Sequence, residues 1–66
     1  ELGSLKFRKS IFVVEEIGEG EFFTEKNTRV IRPGYGLKPK YYQDILGKSA
    51  ARPMKRGTPL QWEDIG

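Results

Sequence analysis

Apolar residues occur along the chain in short runs separated by Gly and Pro, so the pattern predicts short elements joined by turns. The longest run is residues 11–14, within a stretch from 6 to 14 that is rich in aromatic and β-branched residues and predicts a strand. Residues 28–31 predict a second strand, which ends before Pro33 because proline has no N–H to donate to a sheet. Residues 48–52 predict a third.

Residues 39–46 carry the pattern of a short helix. Proline suits the first helical turn, and Gly47 is well placed as the residue just beyond the C-terminus. The apolar positions at i, i+1, i+4 and i+5 share one face: Tyr41, Tyr42, Ile45 and Leu46. Two turns are too few to be stable alone, so we expect packing to hold this helix.

One pattern occurs twice, at an offset of 37 residues (17 to 54). Each copy has an apolar residue, a turn glycine, a second apolar residue and a polar turn closed by Asn or Asp. The copies are Ile17, Gly20, Phe23 and Asn27, and then Met54, Gly57, Leu60 and Asp64. Two copies are too few for a solenoid, so they predict a pseudo-two-fold arrangement around one core. Both glycines suit a positive φ.

The repeat also predicts which side chains are buried. We expect burial of its four apolar residues together with Val14, Ile45 and Leu46. We expect Trp62 to join Phe23 as an aromatic anchor of the core. Thr24 is placed to cap the turn that follows it.

Composition excludes several classes of function. The chain has 66 residues, room for one small domain, and it has neither cysteine nor histidine. Disulfides, thiolate metal sites and histidine-based catalysis are therefore excluded, and we expect no catalytic residue and no metal ligand here. Hydrophobic residues are 36% and charged residues 32%, as in soluble globular domains, and we expect a cytoplasmic protein.

Charge is unevenly spread along a chain whose net charge is +3. Residues 15–25 contain acids and no base, whereas residues 26–40 contain bases and no acid. One interpretation is a stand-alone interaction module for anionic partners. The other is a solvated face that neutralises its acidic neighbour. Nucleic acid is disfavoured, because bases and aromatics do not alternate and no RNA-binding signature is present.

The segment from 32 to 39 has two prolines, two glycines and an aromatic residue between a predicted strand and a predicted helix. Pro33 fixes its own φ and favours an extended Arg32. We therefore expect a structured loop that presents Arg32, with Tyr35 as a second candidate. Arginine suits planar recognition of carboxylate, phosphate or amide oxygens. The alternative is that Arg32 pairs with a nearby glutamate.

These motifs together resemble a known family. Ile-Arg-Pro-Gly-Tyr-Gly-Leu-Lys-Pro at 31–39, Ile-Leu-Gly-Lys at 45–48 and Lys-Arg-Gly-Thr-Pro-Leu at 55–60 are similar to the C-terminal antifreeze-like (SAF) domain of sialic acid synthases. The loop is most similar to that of pseudaminic acid synthases and spore-coat polysaccharide synthases. On this basis we expect residues 1–6 to be a linker remnant and residues 7–66 to be the SAF domain.

The resemblance implies a mostly β, irregular fold of short strands and helical turns, the β-clip also found in type III antifreeze protein. It implies an enzyme family, N-acetylneuraminate synthase included, that condenses phosphoenolpyruvate with an N-acetylated amino sugar into a nine-carbon 2-keto sugar acid. In that family this domain is a lid, and the arginine at the position of Arg32 reaches the sugar in the partner subunit's barrel within a swapped homodimer. A divalent metal, Mn or Mg, is expected in the N-terminal TIM barrel, and no cofactor is expected in this domain.

The same resemblance bears on the isolated chain. An excised lid is expected to be monomeric and without activity. The fold resemblance also suggests ice binding, but an ice-binding surface is flat and rich in small apolar and Thr groups. This chain has three Thr and is 32% charged, so that alternative is disfavoured.

Overall fold

Two short antiparallel strands form the sheet of the computed structural model, which describes residues 5–66. Strand β1 (Ser10–Val13) pairs with β2 (Thr28–Ile31), so that Ser10 faces Ile31 and Val13 faces Thr28. The second strand has the predicted bounds. The first is shorter than the predicted 6–14, because beyond Ile31 the opposite strand continues into Pro33, which cannot donate to a ladder.

The predicted strand at 48–52 is wrong. Ser49 forms an isolated bridge with Phe22, and Ala50 forms one with Ile65. Because Ser49 and Ala50 are consecutive but pair with different segments, neither pairing extends into a ladder.

The predicted helix at 39–46 is present in two parts. A 3₁₀ turn spans Pro39–Tyr41, and the α-helix α1 follows over Tyr42–Ile45. Gly47 has φ +89°, as expected for the residue that ends a helix. A second 3₁₀ turn spans Trp62–Asp64. Within residues 5–66, no helix is long and apolar enough to cross a membrane.

The two copies of the repeat are related by reciprocal backbone hydrogen bonds. The Ile17 N–H donates to the Met54 carbonyl at 2.9 Å, and the Met54 N–H donates back to Ile17 at 2.8 Å. Because these residues are each other's counterparts at the 37-residue offset, their pair lies where a two-fold axis would pass. The turn glycines take matching conformations, with φ +85° at Gly20 and +91° at Gly57.

The same exchange holds away from that central pair. The Gly20 N–H donates to the Ala50 carbonyl at 2.8 Å, and the counterpart Gly57 N–H donates to Val13 at 2.7 Å. Val13 and Ala50 are themselves separated by 37 residues. Each copy thus bonds to the strand-like segment of the other, which is the predicted pseudo-two-fold arrangement.

The polar turns that close the copies also match. The Thr24 N–H donates to Asn27 Oδ1 at 2.8 Å, and the Gln61 N–H donates to Asp64 Oδ2 at 2.9 Å. Thr24 Oγ1 accepts from the N–H of Lys26 at 3.2 Å and of Asn27 at 3.3 Å, so Thr24 caps its turn as predicted.

Apolar side chains from both copies fill one core. Its buried members are Ile11, Val13, Ile17, Phe23, Leu37, Ile45, Ala50, Met54 and Leu60. Five of the seven predicted core residues are among them, whereas Val14 and Leu46 are only half-buried. Val14 follows the fully buried Val13, and successive residues of an extended chain point to opposite sides.

Trp62 is not a core anchor, contrary to prediction. It is 50% exposed and packs edge-on against Tyr41, with ring centroids 5.1 Å apart. At the 37-residue offset its counterpart is Glu25, which is also exposed. The repeat therefore places this position on the surface.

Candidate functional site

A buried serine hydroxyl closes the loop that follows Arg32. Ser10, at the start of β1, is only 1% exposed. Its hydroxyl donates to the Pro33 carbonyl at 2.7 Å and accepts from the Gly36 N–H at 3.0 Å. One side chain thus holds both ends of the turn from 33 to 36. The sequence analysis did not select Ser10 as a functional residue. The signal that could have identified it is a small hydroxyl residue directly before the apolar run at 11–14.

The tip of the loop is held from two further directions. The Gly34 N–H donates to the Leu5 carbonyl at 2.8 Å. The Gln61 side-chain amide donates to the Tyr35 carbonyl, also at 2.8 Å. The backbone at the tip is therefore tied both to the segment before β1 and to the second copy of the repeat.

Leu37 anchors the end of the loop in the core. Its side chain is buried, its N–H donates to the Leu60 carbonyl at 2.8 Å, and its carbonyl accepts from the Ile11 N–H at 2.9 Å. Consequently, the carbonyl or the N–H of each residue from 33 to 37 has a partner outside the loop. Such a loop is preorganised by the fold.

Close packing explains one glycine of the loop. A Cβ on Gly36 would lie 2.5 Å from the Ile11 carbonyl oxygen and 3.0 Å from the Leu60 nitrogen. Both contacts are with backbone held by the core, so neither atom can move aside cheaply. Only glycine fits where the loop crosses between these two segments.

Arg32 lies at the exposed start of this loop and is joined to Pro33 by a cis peptide bond. Its Nε donates to the Phe7 carbonyl at 2.9 Å, which orients the guanidinium. Within residues 5–66 it makes no ion pair, so the predicted alternative of a local glutamate partner is not what the structure has. Neither Nη group has a hydrogen-bond or ion-pair partner within residues 5–66.

Tyr35 lies three residues further, at the tip. Its side chain is 54% exposed, although its carbonyl is fixed by Gln61. The two sequence-predicted candidates, Arg32 and Tyr35, therefore belong to the same fixed loop. The sequence analysis selected two residues of the loop that are exposed, and it missed the residues that hold the loop in place.

A basic groove adjoins the loop. It has a volume of about 420 Å³ and is lined by Arg8, Lys9, Lys38, Pro39 and Lys40. The run of bases at 26–40 supplies part of this lining, but Arg8 and Lys9 join it only through the fold. As for metals, residues 5–66 contain no group of three or more acidic, His or Cys side chains that could hold an ion.

Comparison with known proteins gives a consistent set of relatives. Residues 8–66 match the family model of the SAF domain. The chain is 46% identical over 59 residues to pseudaminic acid synthase of Helicobacter pylori, and 41% identical to that of Campylobacter jejuni. Each alignment covers 89% of this chain and 17% of the relative.

A solved structure is similar throughout the chain. Spore coat polysaccharide biosynthesis protein SpsE of Bacillus subtilis superposes with a TM-score of 0.87 at 33% identity, covering 100% of this chain and 19% of that one. The predicted fold, irregular and built of short strands and helical turns, is thereby confirmed. The chain corresponds to less than one fifth of each of these relatives.

Proposed function

This chain belongs to the SAF domain family, and we propose that it is the C-terminal lid domain of a sialic-acid-type synthase. Its similarity to two pseudaminic acid synthases, each about five times its length, supports this proposal. The full enzyme would condense phosphoenolpyruvate with an N-acetylated amino sugar into a nine-carbon 2-keto sugar acid. The relatives favour pseudaminic acid as the sugar acid that is formed.

The observation that carries the proposal is the combination of a fixed loop and an uncommitted arginine. Residues 33–37 are anchored by Ser10, Leu5, Gln61 and the core, whereas the Nη groups of Arg32 have no partner within the described chain. Ordering a loop costs conformational entropy whenever a ligand must do it. A loop ordered by its own fold presents its arginine without that cost.

The proposed role of Arg32 is to position the sugar in the barrel of the partner subunit. Its fork of N–H donors can bind hydroxyl and amide oxygens of a neutral sugar in one defined orientation. Positioning of this kind lowers the barrier by fixing the reacting atoms in place, and a closed lid also excludes water. Tyr35 would contribute a further contact from the same loop.

The divalent metal implied by the family does not fit this domain. Residues 5–66 contain no group of three or more candidate ligands, and the Asp64 carboxylate is already engaged by Arg52 and the Gln61 N–H. We propose that Mn or Mg belongs to the N-terminal barrel, as the family resemblance implies. The proposed partners of this chain are that barrel, in trans in a swapped homodimer, and the sugar.

The test uses the full-length enzyme, with phosphate release from phosphoenolpyruvate measured against sugar concentration. Arg32→Ala is expected to lower kcat/KM by about 100-fold or more, because the substrate loses its orientation. Arg32→Lys should recover little, since a point charge cannot replace a planar fork. Arg56→Ala, which removes an exposed cation elsewhere, is the matched control. Wild-type kinetics in Arg32→Ala would contradict the proposed role.

The isolated 66-residue chain supplies a second test. A lid without its barrel is expected to show no turnover in the same assay. Turnover by this chain alone would show that the reaction does not require the barrel, and the lid proposal would be wrong.

A further inference from the structure

The basic groove is built from two segments that are distant in sequence. Arg8 and Lys9 precede β1, while Lys38, Pro39 and Lys40 lead into α1. Of the five residues within 5–66 that line it, four are cations and none is an acid. We infer that this groove binds a small organic anion that carries a phosphate or a carboxylate group.

Among the described residues, no acid neutralises the lysines of the groove. Within residues 5–66, Lys9, Lys38 and Lys40 have no acidic partner. Lys40 Nζ lies 5.2 Å from the centre of the Tyr41 ring, a contact that attracts the ammonium group without cancelling its charge. Like charges around one concave surface raise the local positive potential and attract anions.

The walls of the groove favour an organic anion over an inorganic one. Lysine and arginine carry their charge at the end of an aliphatic stem, and the Pro39 ring is apolar. The groove therefore combines apolar walls with cationic groups. The groove is open to solvent and has a volume of about 420 Å³, enough for a small organic anion that stays in partial contact with water.

The groove lies beside the loop that presents Arg32. A Cβ on Gly34 would lie 2.9 Å from Arg8 Cβ, and the carbonyl of Phe7 holds Arg32 Nε. The segment that forms one wall of the groove thus also supports the loop. An anion in the groove would be held next to whatever Arg32 binds.

The identity of the anion rests on the proposed function. If the domain is the lid of such a synthase, phosphoenolpyruvate supplies both a phosphate and a carboxylate, and the sugar-acid product supplies a carboxylate. The groove would collect the anionic substrate at the mouth of the barrel, leaving the neutral sugar to Arg32. The two anions share the chemistry recognised here and are separated by the titration below.

The direct test is an NMR titration of the 66-residue chain, which has its own core, at constant ionic strength. Phosphoenolpyruvate is expected to shift the amide resonances of residues 8–9 and 38–40 with saturation, and inorganic phosphate to do so more weakly. The purified sugar acid is the third ligand, and tighter binding of it than of phosphoenolpyruvate would assign the groove to product. Absence of saturable shifts with both organic anions would overturn the inference.

Charge removal supplies the matched variants. Lys38→Gln with Lys40→Gln keeps much of each stem and removes both charges, and should raise the dissociation constant by roughly threefold per lysine, about tenfold in all. Lys55→Gln with Arg56→Gln removes two exposed cations elsewhere and should leave it unchanged. If both double variants weakened anion binding equally, only the net charge would matter, and the inference of a defined site would be overturned. So would saturable binding of an oligonucleotide to the same residues but not of phosphoenolpyruvate.

Kinetics of the full-length enzyme separate this inference from the proposed function. Lys38→Gln with Lys40→Gln should raise KM for phosphoenolpyruvate several-fold and leave KM for the sugar unchanged, and Arg32→Ala should impair use of the sugar. If Arg32→Ala impaired use of the sugar but the double lysine variant left KM for phosphoenolpyruvate unchanged, the lid role would remain supported. The groove would then not be a substrate site. Absence of synthase activity in the full-length protein would overturn the proposed function, whereas the NMR titration would still decide anion binding.

Discussion

Two exposed arginines of this domain are held in different ways. Arg52 Nε lies 3.0 Å from Asp64 Oδ1, and Arg52 Nη2 donates to the Glu63 carbonyl at 3.3 Å. Arg32 instead donates Nε to the Phe7 carbonyl and meets no carboxylate within residues 5–66. The charge of Arg52 is therefore neutralised inside the domain, while that of Arg32 is oriented and left unpaired.

The difference shows that exposure alone does not identify a binding arginine. Arg52 supports the turn that closes the second repeat, whose Asp64 side chain is 11% exposed and also accepts from the Gln61 N–H. Arg32 begins a loop whose backbone is fixed by other residues. Removing Arg52 should therefore lower the stability of the fold, whereas removing Arg32 should impair binding of a substrate.

The largest effect on stability is expected from Gly36→Ala, which attacks the loop behind Arg32. The new methyl group would meet backbone atoms of Ile11 and Leu60, so the free energy of unfolding should fall by about 3 kcal/mol or more. A domain of this size has only about 3–5 kcal/mol to lose. Urea denaturation followed by circular dichroism measures this change.

Gly18→Ala is the control for that substitution. A Cβ there would find its nearest neighbour at 3.5 Å, in the flexible Glu21 side chain. We expect a change of less than about 1 kcal/mol. If Gly36→Ala were equally mild, the loop would have room to move and would not be preorganised.

Ser10→Ala should have an intermediate effect. It removes the hydroxyl that links Pro33 to Gly36 and leaves a partly buried N–H and a partly buried carbonyl without that partner, at a cost of about 1–3 kcal/mol. Ser49→Ala, which removes a half-buried hydroxyl to which the structure assigns no hydrogen bond, should cost much less. Hydrogen exchange of the Gly36 amide should accelerate in Ser10→Ala more than that of core amides, and uniform acceleration would contradict a local clamp.

Of the three substitutions Gly36→Ala, Ser10→Ala and Arg52→Ala, the last should have the smallest effect on stability. Its ion pair is partly exposed, so removing it should destabilise the domain by about 1 kcal/mol or less. The loss should shrink at high salt, because salt already screens the pair in the wild type. A cost that is independent of salt would show that Arg52 contributes through its other contacts.

The sequence repeat predicted the centre of the fold well. Ile17, Phe23, Met54 and Leu60 are buried because their spacing in each copy reflects the same local path of the chain. Strand lengths were harder to predict, since a strand extends only as far as its partner does. The segment at 48–52 was predicted to be a strand, but Ser49 and Ala50 form isolated bridges with two different segments, so no ladder develops.

The candidate site could be predicted only in part. Arg32 and Tyr35 follow from local chemistry, because prolines and glycines in one segment restrict its conformation. Ser10 and Gln61 could not be found in this way, since they reach the loop from 23 and 26 residues away. The groove was missed for the same reason, because Arg8 and Lys9 meet Lys38 and Lys40 only in the folded chain.

The measurement that tests the central claim most directly compares Arg32→Ala with Arg52→Ala, using unfolding of the 66-residue chain and kcat/KM of the full-length enzyme. Arg32→Ala should change the free energy of unfolding by less than about 1 kcal/mol and lower kcat/KM by about 100-fold. Arg52→Ala should cost up to about 1 kcal/mol of stability and leave kcat/KM near wild type. Wild-type kcat/KM in Arg32→Ala, or an equal kinetic loss in both variants, would contradict the claim that Arg32, unlike Arg52, is presented to a substrate.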